Sequence, residues 1–355
     1  MKIVVVGDTL VSSDYMAEQA KLLLPGRQKE IIKYDWEMTS KEKFQQVMLN
    51  IEKNGPYAEA VPEDIEKAIV EDADIFIGHF CPLSGEILKK CRKLKLIGTC
   101  RGGVEHIDVD TATKMNIPVI HVIRNAEPVA EFAIGLMIAE SRNIARSYLG
   151  IKNGIWKKKF PNSKYTSCLK DKKVGILGLG YIGKLVAKKL TELGVEVIGH
   201  DPYVSQDMLD SQGIKVKLVP LDQLFSQSDI VSLHIRFTEE TKNFVDMKLL
   251  SKMKPSSYLI NTARAGILDH DSIVKVLQEN RIAGAAIDVF WDEPIKKEDP
   301  ILELDNLTMT SHIAGDTVDA ISKAPRLLIN VMNEFFNEGK MDMLVNKSTA
   351  EYLNI

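Results

Sequence analysis

The stretch that most constrains this chain is KVGILGLGYIGKLVAKKLTELGVEVIGHD, residues 173–201. An apolar run (173–177) leads into Gly178-Leu179-Gly180-Tyr181-Ile182-Gly183. A helix-forming segment follows to Gly194, and a second apolar run (195–199) precedes Asp201. A bare G-x-G-x-x-G turns up in many glycine-rich turns. Here the whole strand–glycine–helix–strand–acid unit is present, with the length of a βαβ half that binds a dinucleotide. Gly178 permits the tight turn, Gly180 lets the backbone approach a pyrophosphate, and Gly183 lets the helix pack close to the sheet. The N–H groups that open the helix then hold phosphate. A carboxylate at Asp201 accepts hydrogen bonds from a ribose 2′-OH and repels a 2′-phosphate. No arginine follows in DPYVSQ, so the unit calls for NAD rather than NADP.

The rest of the chain repeats the same alternation. Short apolar runs occur at 3–7, 74–78, 95–99, 229–233, 257–261, 284–288 and 307–310, with helix-like segments at 84–92, 181–193, 247–253 and 270–279. Continuous apolar strands alternating with helices indicate an α/β fold with parallel sheets covered on both faces. The turn VVVGDTL lacks the second and third glycines and reads as the opening of another domain. Two long helices break the alternation: NAEPVAEFAIGLMIAESRNIARSYL (125–149), read as amphipathic, and a second at 316–337. They suggest two doubly wound domains joined by a double crossing. The first spans 1–121 and is completed by 314–355; the second, 122–313, is inserted into it. The segment 30–65 reads as polar and helical.

Composition excludes several classes. A net charge of −3 gives no basic field for nucleic acid. No stretch approaches the ~20 apolar residues that span a bilayer, and the run in MKIVVVGD is too short for a signal peptide. The four cysteines form no CxxC pair and show no zinc spacing. These features lead us to expect a cytoplasmic protein with reduced thiols, no metal and no membrane partner.

Ligands of doubly wound sheets sit outside the carboxyl ends of the strands. Three polar residues follow strand ends in the second domain: Arg264 in NTARAGILD, Glu293 in DVFWDEP and His312 in TSHIAGD. Alone, His312 could be a proton donor, a metal ligand or a capping residue. Beside a nicotinamide it suits a proton donor for the oxygen that becomes hydroxyl. Glu293 next to it would favour the imidazolium. Arg264 could hold a substrate carboxylate through two parallel hydrogen bonds. Together they specify a 2-oxo acid/2-hydroxy acid pair.

On VAEFAIGLMIAESR (129–142), VGILGLGYIG (174–183), NTARAGILD (261–269), AAIDVFWDEP (285–294) and SHIAG (311–315), the chain resembles the D-isomer-specific 2-hydroxyacid dehydrogenases over nearly its whole length. The resemblance implies a Rossmann NAD-binding domain inserted into a flavodoxin-like substrate domain. It places the catalytic arginine, glutamate and histidine on Arg264, Glu293 and His312. It adds Tyr181, Ile182, Thr262, Ala263 and Gly315 to the cofactor site, counts Arg264 and His312 among the cofactor contacts as well, and sets Asp288 against the nicotinamide amide and Asp201 against the adenosine ribose. The loop TCRGGVEHID (99–108) matches the one that grips the substrate carboxylate, here through Arg101, Gly102, Gly103 and Val104. Arg101 is an unusual addition there, expected to meet a second anionic or polar group. The resemblance also implies a homodimer, with the 125–149 helix in its arm. Ala265 and Ser311 stand where the family commonly has glycine and proline. The chain stops at 355, so no appended regulatory domain is expected. Domain closure with a hinge near 121–125 and 313–317 is the expected motion. Two other readings stay open. One is a 3-phosphoglycerate dehydrogenase, for whose phosphate the sequence offers only Arg101 and Arg124. The other is an NAD(H)-sensing binding protein of the corepressor kind.

Overall fold

Lys2–Asp8 is buried from Ile3 onward, as a strand covered on both faces must be, and it seeds the first of two sheets. The computed structural model describes residues 1–36, 38 and 40–352. Positions 37, 39 and 353–355, which fall in the segment 30–65 and in the C-terminal tail, lie outside the described residues.

The chain divides into two compact units, Met1–Asn125 with Thr317–Ile355, and Ala126–Asp316. The boundaries fall slightly later than the expected 121/122 and 313/314, because hydrogen bonds assign the connecting residues. His121 N donates to Met343 O and Val122 N to Arg101 O, which keeps them in the first unit. Ile313 N and Ala314 N donate to Asp288, which keeps them in the second.

The first unit holds strands β1 (Lys2–Asp8), β2 (Glu30–Trp36), β3 (Ile75–Gly78), β4 (Leu96–Thr99) and β5 (Val119–Ile120), in the order β2-β1-β3-β4-β5. All are parallel, the flavodoxin-like order. The second unit holds β6 (Lys173–Leu177), β7 (Glu196–His200), β8 (Lys217–Leu218), β9 (Ile230–Leu233), β10 (Tyr258–Asn261), β11 (Gly284–Ile287) and β12 (Leu307–Met309), in the order β12-β11-β10-β9-β6-β7-β8. That is the Rossmann arrangement, its switch point between β6 and β9.

Three expectations change. Residues 30–36 form a strand, not the start of a helical segment: β2 pairs along all of β1, and as an edge strand it buries only Trp36. The helix expected over 125–149 is two helices, Ala126–Ser141 and Ile144–Lys152, separated by Asn143 in the left-handed region (φ 58°), a conformation asparagine tolerates. The first of these is not amphipathic; it lies between the helix Tyr181–Glu192 and strands β10 and β11, buried on most of its surface. The helix expected over 316–337 is likewise divided into Val318–Ser322 and Ala324–Glu338, the latter opening on Pro325. Proline has no N–H to continue the preceding turn.

Candidate functional site

The glycine loop does what its spacing requires. A Cβ on Gly183 would stand 2.0 Å from the carbonyl oxygen of Gly178, so only glycine lets the helix approach the strand this closely. A Cβ on Gly180 would meet nothing within 4 Å, leaving open space over the start of the helix Tyr181–Glu192, whose Gly180 cap supplies no side-chain acceptor. The first N–H groups of a helix have no acceptor within it, so this opening suits a phosphate. Asp201, just past β7, accepts from Leu179 N at 2.8 Å and Tyr203 N at 2.9 Å. It therefore ties the loop to the neighbouring strand end and keeps lone pairs for a ribose hydroxyl. Thr262, at the end of β10, buries a hydroxyl oxygen with no partner. An orphan of this kind calls for an absent hydrogen-bonding group. The open cradle, the orphaned hydroxyl and the acid at the second strand fit a dinucleotide.

His234, after β9, carries no local pattern that would single it out, and its backbone packs against Gly178. Its Nε2 lies 2.8 Å from Ser232 Oγ, and burial pushes its pKa down to about 4, so it stays neutral beside Gly178.

The three expected catalytic residues all belong to this unit. Arg264 is exposed; its carbonyl accepts from Asn261 Nδ2 at 3.1 Å, and Asn261 Oδ1 accepts from Ala263 N at 3.1 Å. Buried Asn261 thus fixes the turn Thr262-Ala263-Arg264 from below. Glu293 accepts from Phe290 N at 2.9 Å through Oε1 and meets His312 Nδ1 at 2.8 Å through Oε2. The His312 hydrogen bond, the Phe290 N–H and the charges of His312 and Arg264 hold the Glu293 carboxyl below its usual range. Glu293 is therefore ionised at neutral pH and fixes a proton on His312 Nδ1, leaving Nε2 for a substrate oxygen.

His312 has a left-handed backbone (φ 56°), a conformation that costs a non-glycine residue about 1 kcal/mol or more. Asp288 holds it there. This carboxylate, 0 % exposed, accepts from Thr310 Oγ1 at 2.6 Å, Ile313 N at 3.0 Å and Ala314 N at 2.8 Å. The residue expected at the nicotinamide amide thus also holds the loop that carries the histidine, with one acceptor position of its carboxylate left over. Gly315 closes the following turn, where Asp316 N donates to Ile313 O at 2.9 Å. Beside the dyad lies a cavity of about 720 Å³, lined mainly by Phe290, Pro294, Ile295, Leu302 and Met309. Among the described residues no group of three His, Cys, Asp or Glu side chains is arranged to hold a metal ion.

In the first unit, the loop after β4 is pinned at Arg101 O by Val122 N (3.1 Å) and at Val104 O by Ile107 N (2.9 Å). Gly102 is exposed, and Gly103 and Val104 are half-buried. Arg101 is buried and ion-paired to Glu52 at 2.8 Å.

The sequence matches the model for the D-isomer specific 2-hydroxyacid dehydrogenase NAD binding domain over residues 134–314. It is 38% identical over 278 residues to the glyoxylate reductase of Thermofilum pendens, covering 76% of this chain and 80% of that one. It is 31% identical over 280 residues to the D-3-phosphoglycerate dehydrogenase of Methanocaldococcus jannaschii, covering 78% of this chain and 52% of that one, so it spans about half that relative's length. The NAD-complexed D-isomer specific 2-hydroxyacid dehydrogenase of Lactobacillus delbrueckii ssp. bulgaricus shares the fold, with a TM-score of 0.68 over 98% of this chain and 100% of that one at 22% identity. The family model runs through about half of the chain and across the glycine loop, Arg264, Glu293 and His312 alike. The chain therefore belongs to the D-isomer specific 2-hydroxyacid dehydrogenases, a family of NAD-dependent oxidoreductases, and its second unit is that family's NAD-binding domain.

Proposed function

We propose that the protein reduces a 2-oxo acid to a D-2-hydroxy acid with NADH and runs the reverse reaction with NAD. The observation that carries this reading is the His312–Glu293 pair, with one ring nitrogen fixed and the other left for substrate. Gly178, Gly180, Tyr181, Ile182, Gly183, Asp201, Thr262, Ala263 and Gly315 would hold the cofactor, which supplies the hydride to the carbonyl carbon. His312 Nε2 gives the carbonyl oxygen its proton, and in the reverse direction takes the proton from the hydroxyl. Glu293 balances the imidazolium that exists before transfer. Arg264 anchors the substrate carboxylate, and its fork can do so with two parallel bonds where lysine offers a point charge. The loop Arg101-Gly102-Gly103-Val104 is proposed to bind substrate as well.

The test is NADH oxidation across 2-oxo acids, phosphorylated and not, for wild type and Arg264→Lys. We expect at least one acid to be turned over, with KM for it raised about tenfold or more in the variant. Turnover of a phosphorylated acid alone would favour the 3-phosphoglycerate dehydrogenase reading, which the similarity to the Methanocaldococcus enzyme supports. Tight NADH binding with no turnover of any acid would instead favour the sensing protein.

A homodimer is proposed on the apolar residues that the second unit exposes. The helix Ile144–Lys152 buries none of its residues, and Ile144, Tyr148, Leu149, Ile151, Ile155 and Trp156 are exposed, Trp156 to 78 %. A patch of this kind marks an interaction surface. Sedimentation should give twice the chain mass for wild type and a single chain mass for Leu149→Glu/Trp156→Glu; an unchanged mass in the variant would sink the proposal. The cytoplasm is proposed as the compartment because all four cysteines are free. Among the described residues no helix is long and apolar enough to cross a membrane.

A further inference from the structure

The first unit carries a buried cluster for which the reading above has no use. Its sheet order reverses between β1 and β3, the point where such sheets open a crevice for ligands. Two buried side chains bridge that point: Asp8 ends β1 and His79 follows β3, with His79 Nδ1 2.8 Å from Asp8 Oδ2. The other Asp8 oxygen accepts from Leu10 N at 2.9 Å and Val11 N at 3.1 Å, which fixes the carboxylate. On the far side, Arg124 Nη1 is 2.6 Å from His79 Nε2. A guanidinium can only donate, so His79 accepts from Arg124 and donates its Nδ1 proton to Asp8. The imidazole is therefore neutral, and burial holds its pKa down. The relay ends in a guanidinium that, among the described residues, is paired with no carboxylate.

Arg101 lies beside it. It is 9 % exposed, with Cζ 3.5 Å from the centre of the Phe80 ring. Its Nη2 donates to Glu52 at 2.8 Å and lies 3.6 Å from Glu105. Its Nη1 is buried without a partner. The Phe80 ring centre is in turn 5.5 Å from that of His79, which Arg124 meets, so the two cations belong to one cluster; burial first, and then the charge of Arg101, lower the pKa of Arg124. Glu52 and Glu105, 44 % and 47 % exposed at their side chains, pair with Arg101; the charges of Asp8 and Glu52 also act on Arg124, from beyond ion-pair distance. Two guanidiniums in one cluster, one of them with a buried donor that has no partner, leave a place for a further acceptor. Arginine forks suit carboxylate and phosphate oxygens in pairs.

We propose that Arg124 and Arg101 form an anion-recognition site that reads a second anionic group, a carboxylate or a phosphate, on the 2-oxo acid substrate, with His79 and Asp8 as positioning residues for Arg124. The ligand's identity rests on the dehydrogenase reading; the anion site itself does not.

The experiment compares kcat/KM for 2-oxo acids bearing a second carboxylate, a phosphate or neither, in wild type, Arg124→Gln and His79→Gln. Wild type should prefer one dianionic class by about 100-fold, the scale expected of charge-assisted hydrogen bonds. The favoured class tells carboxylate from phosphate. Arg124→Gln should collapse that ratio through KM. His79→Gln should raise KM for the dianionic acid with kcat kept, whereas a merely structural role would lower kcat for all acids alike along with the melting temperature. A wild type without preference, or an Arg124→Gln variant that keeps the ratio, overturns the proposal. If wild type binds NADH but reduces no acid, the dehydrogenase reading fails, and calorimetric titration of inorganic phosphate and malonate at constant ionic strength decides the anion site separately. Binding lost in Arg124→Gln supports it, and no binding to wild type overturns it.

Discussion

Replacing His312 with alanine is expected to lower kcat for 2-oxo acid reduction by about 1,000-fold while NADH affinity stays within about twofold. The size follows from the role: a positioned general acid contributes roughly 100- to 10,000-fold. The selectivity follows from position. His312 reaches Glu293 through Nδ1, and the features that fit the dinucleotide, the Gly180 opening and the Thr262 hydroxyl, do not involve its side chain. Stopped-flow turnover and NADH fluorescence titration on the same preparations check both halves. A variant that keeps a tenth of the wild-type rate would remove His312 from the proton transfer. One that loses NADH binding in proportion to rate would make it a cofactor-site residue instead.

Replacing Arg146 with alanine is expected to destabilise the second unit by about 3–5 kcal/mol, the range seen when one partner of a buried ion pair is removed. Glu140 is 0 % exposed. It accepts from Arg146 Nη2 at 2.6 Å and from Thr308 Oγ1 at 2.5 Å. Arg146 also donates to Asn143 Oδ1 at 3.0 Å and to the Asp305 carbonyl. One ion pair thus binds the helices on either side of the Asn143 break to β12. Burial raises the Glu140 carboxyl above its usual range, against the opposing pull of Arg146. Without the arginine that rise should be larger. The sign is then fixed. A carboxyl whose folded pKa lies above its unfolded value favours folding at low pH, and that stability is lost as pH rises through the folded pKa. The melting temperature of Arg146→Ala should fall by roughly 10 °C at pH 8, and the deficit should shrink at pH 5, where a raised Glu140 takes up a proton. An equal deficit at both pH values would mean that the charge of Glu140 is not what the variant exposes.

The legible parts of this molecule were those with local signals. Runs such as Ile3–Gly7 and Gly284–Ile287 are apolar at every position because their strands are covered on both faces, and the glycine loop is written in six consecutive residues. Arg264, Glu293 and His312 were legible because each follows such a run. β2 was not, because an edge strand buries little and takes its conformation from pairing with β1. β5 and β8, two residues each, are too short to show a pattern. The work of Asp288 was hidden because its partners lie 22 to 26 residues on and reach it only once β12 lies beside β11. The relay from Asp8 to Arg124 was hidden for the same reason, its links spanning 71 and 45 residues.

The left-handed backbone at His312 acts as a filter on the residue that could ever replace it. The loop around it is bound to buried Asp288 at three points, so it cannot relax to suit a newcomer. Whatever side chain a mutation brings to this position inherits a conformation that asparagine, aspartate and histidine accept and that β-branched residues resist. The acid–base partner of Glu293 is therefore screened for shape before it is screened for proton affinity. A lineage drifting toward a new chemistry at this site has few residues to try, and most of those that carry a proton at the right distance fail on the backbone alone.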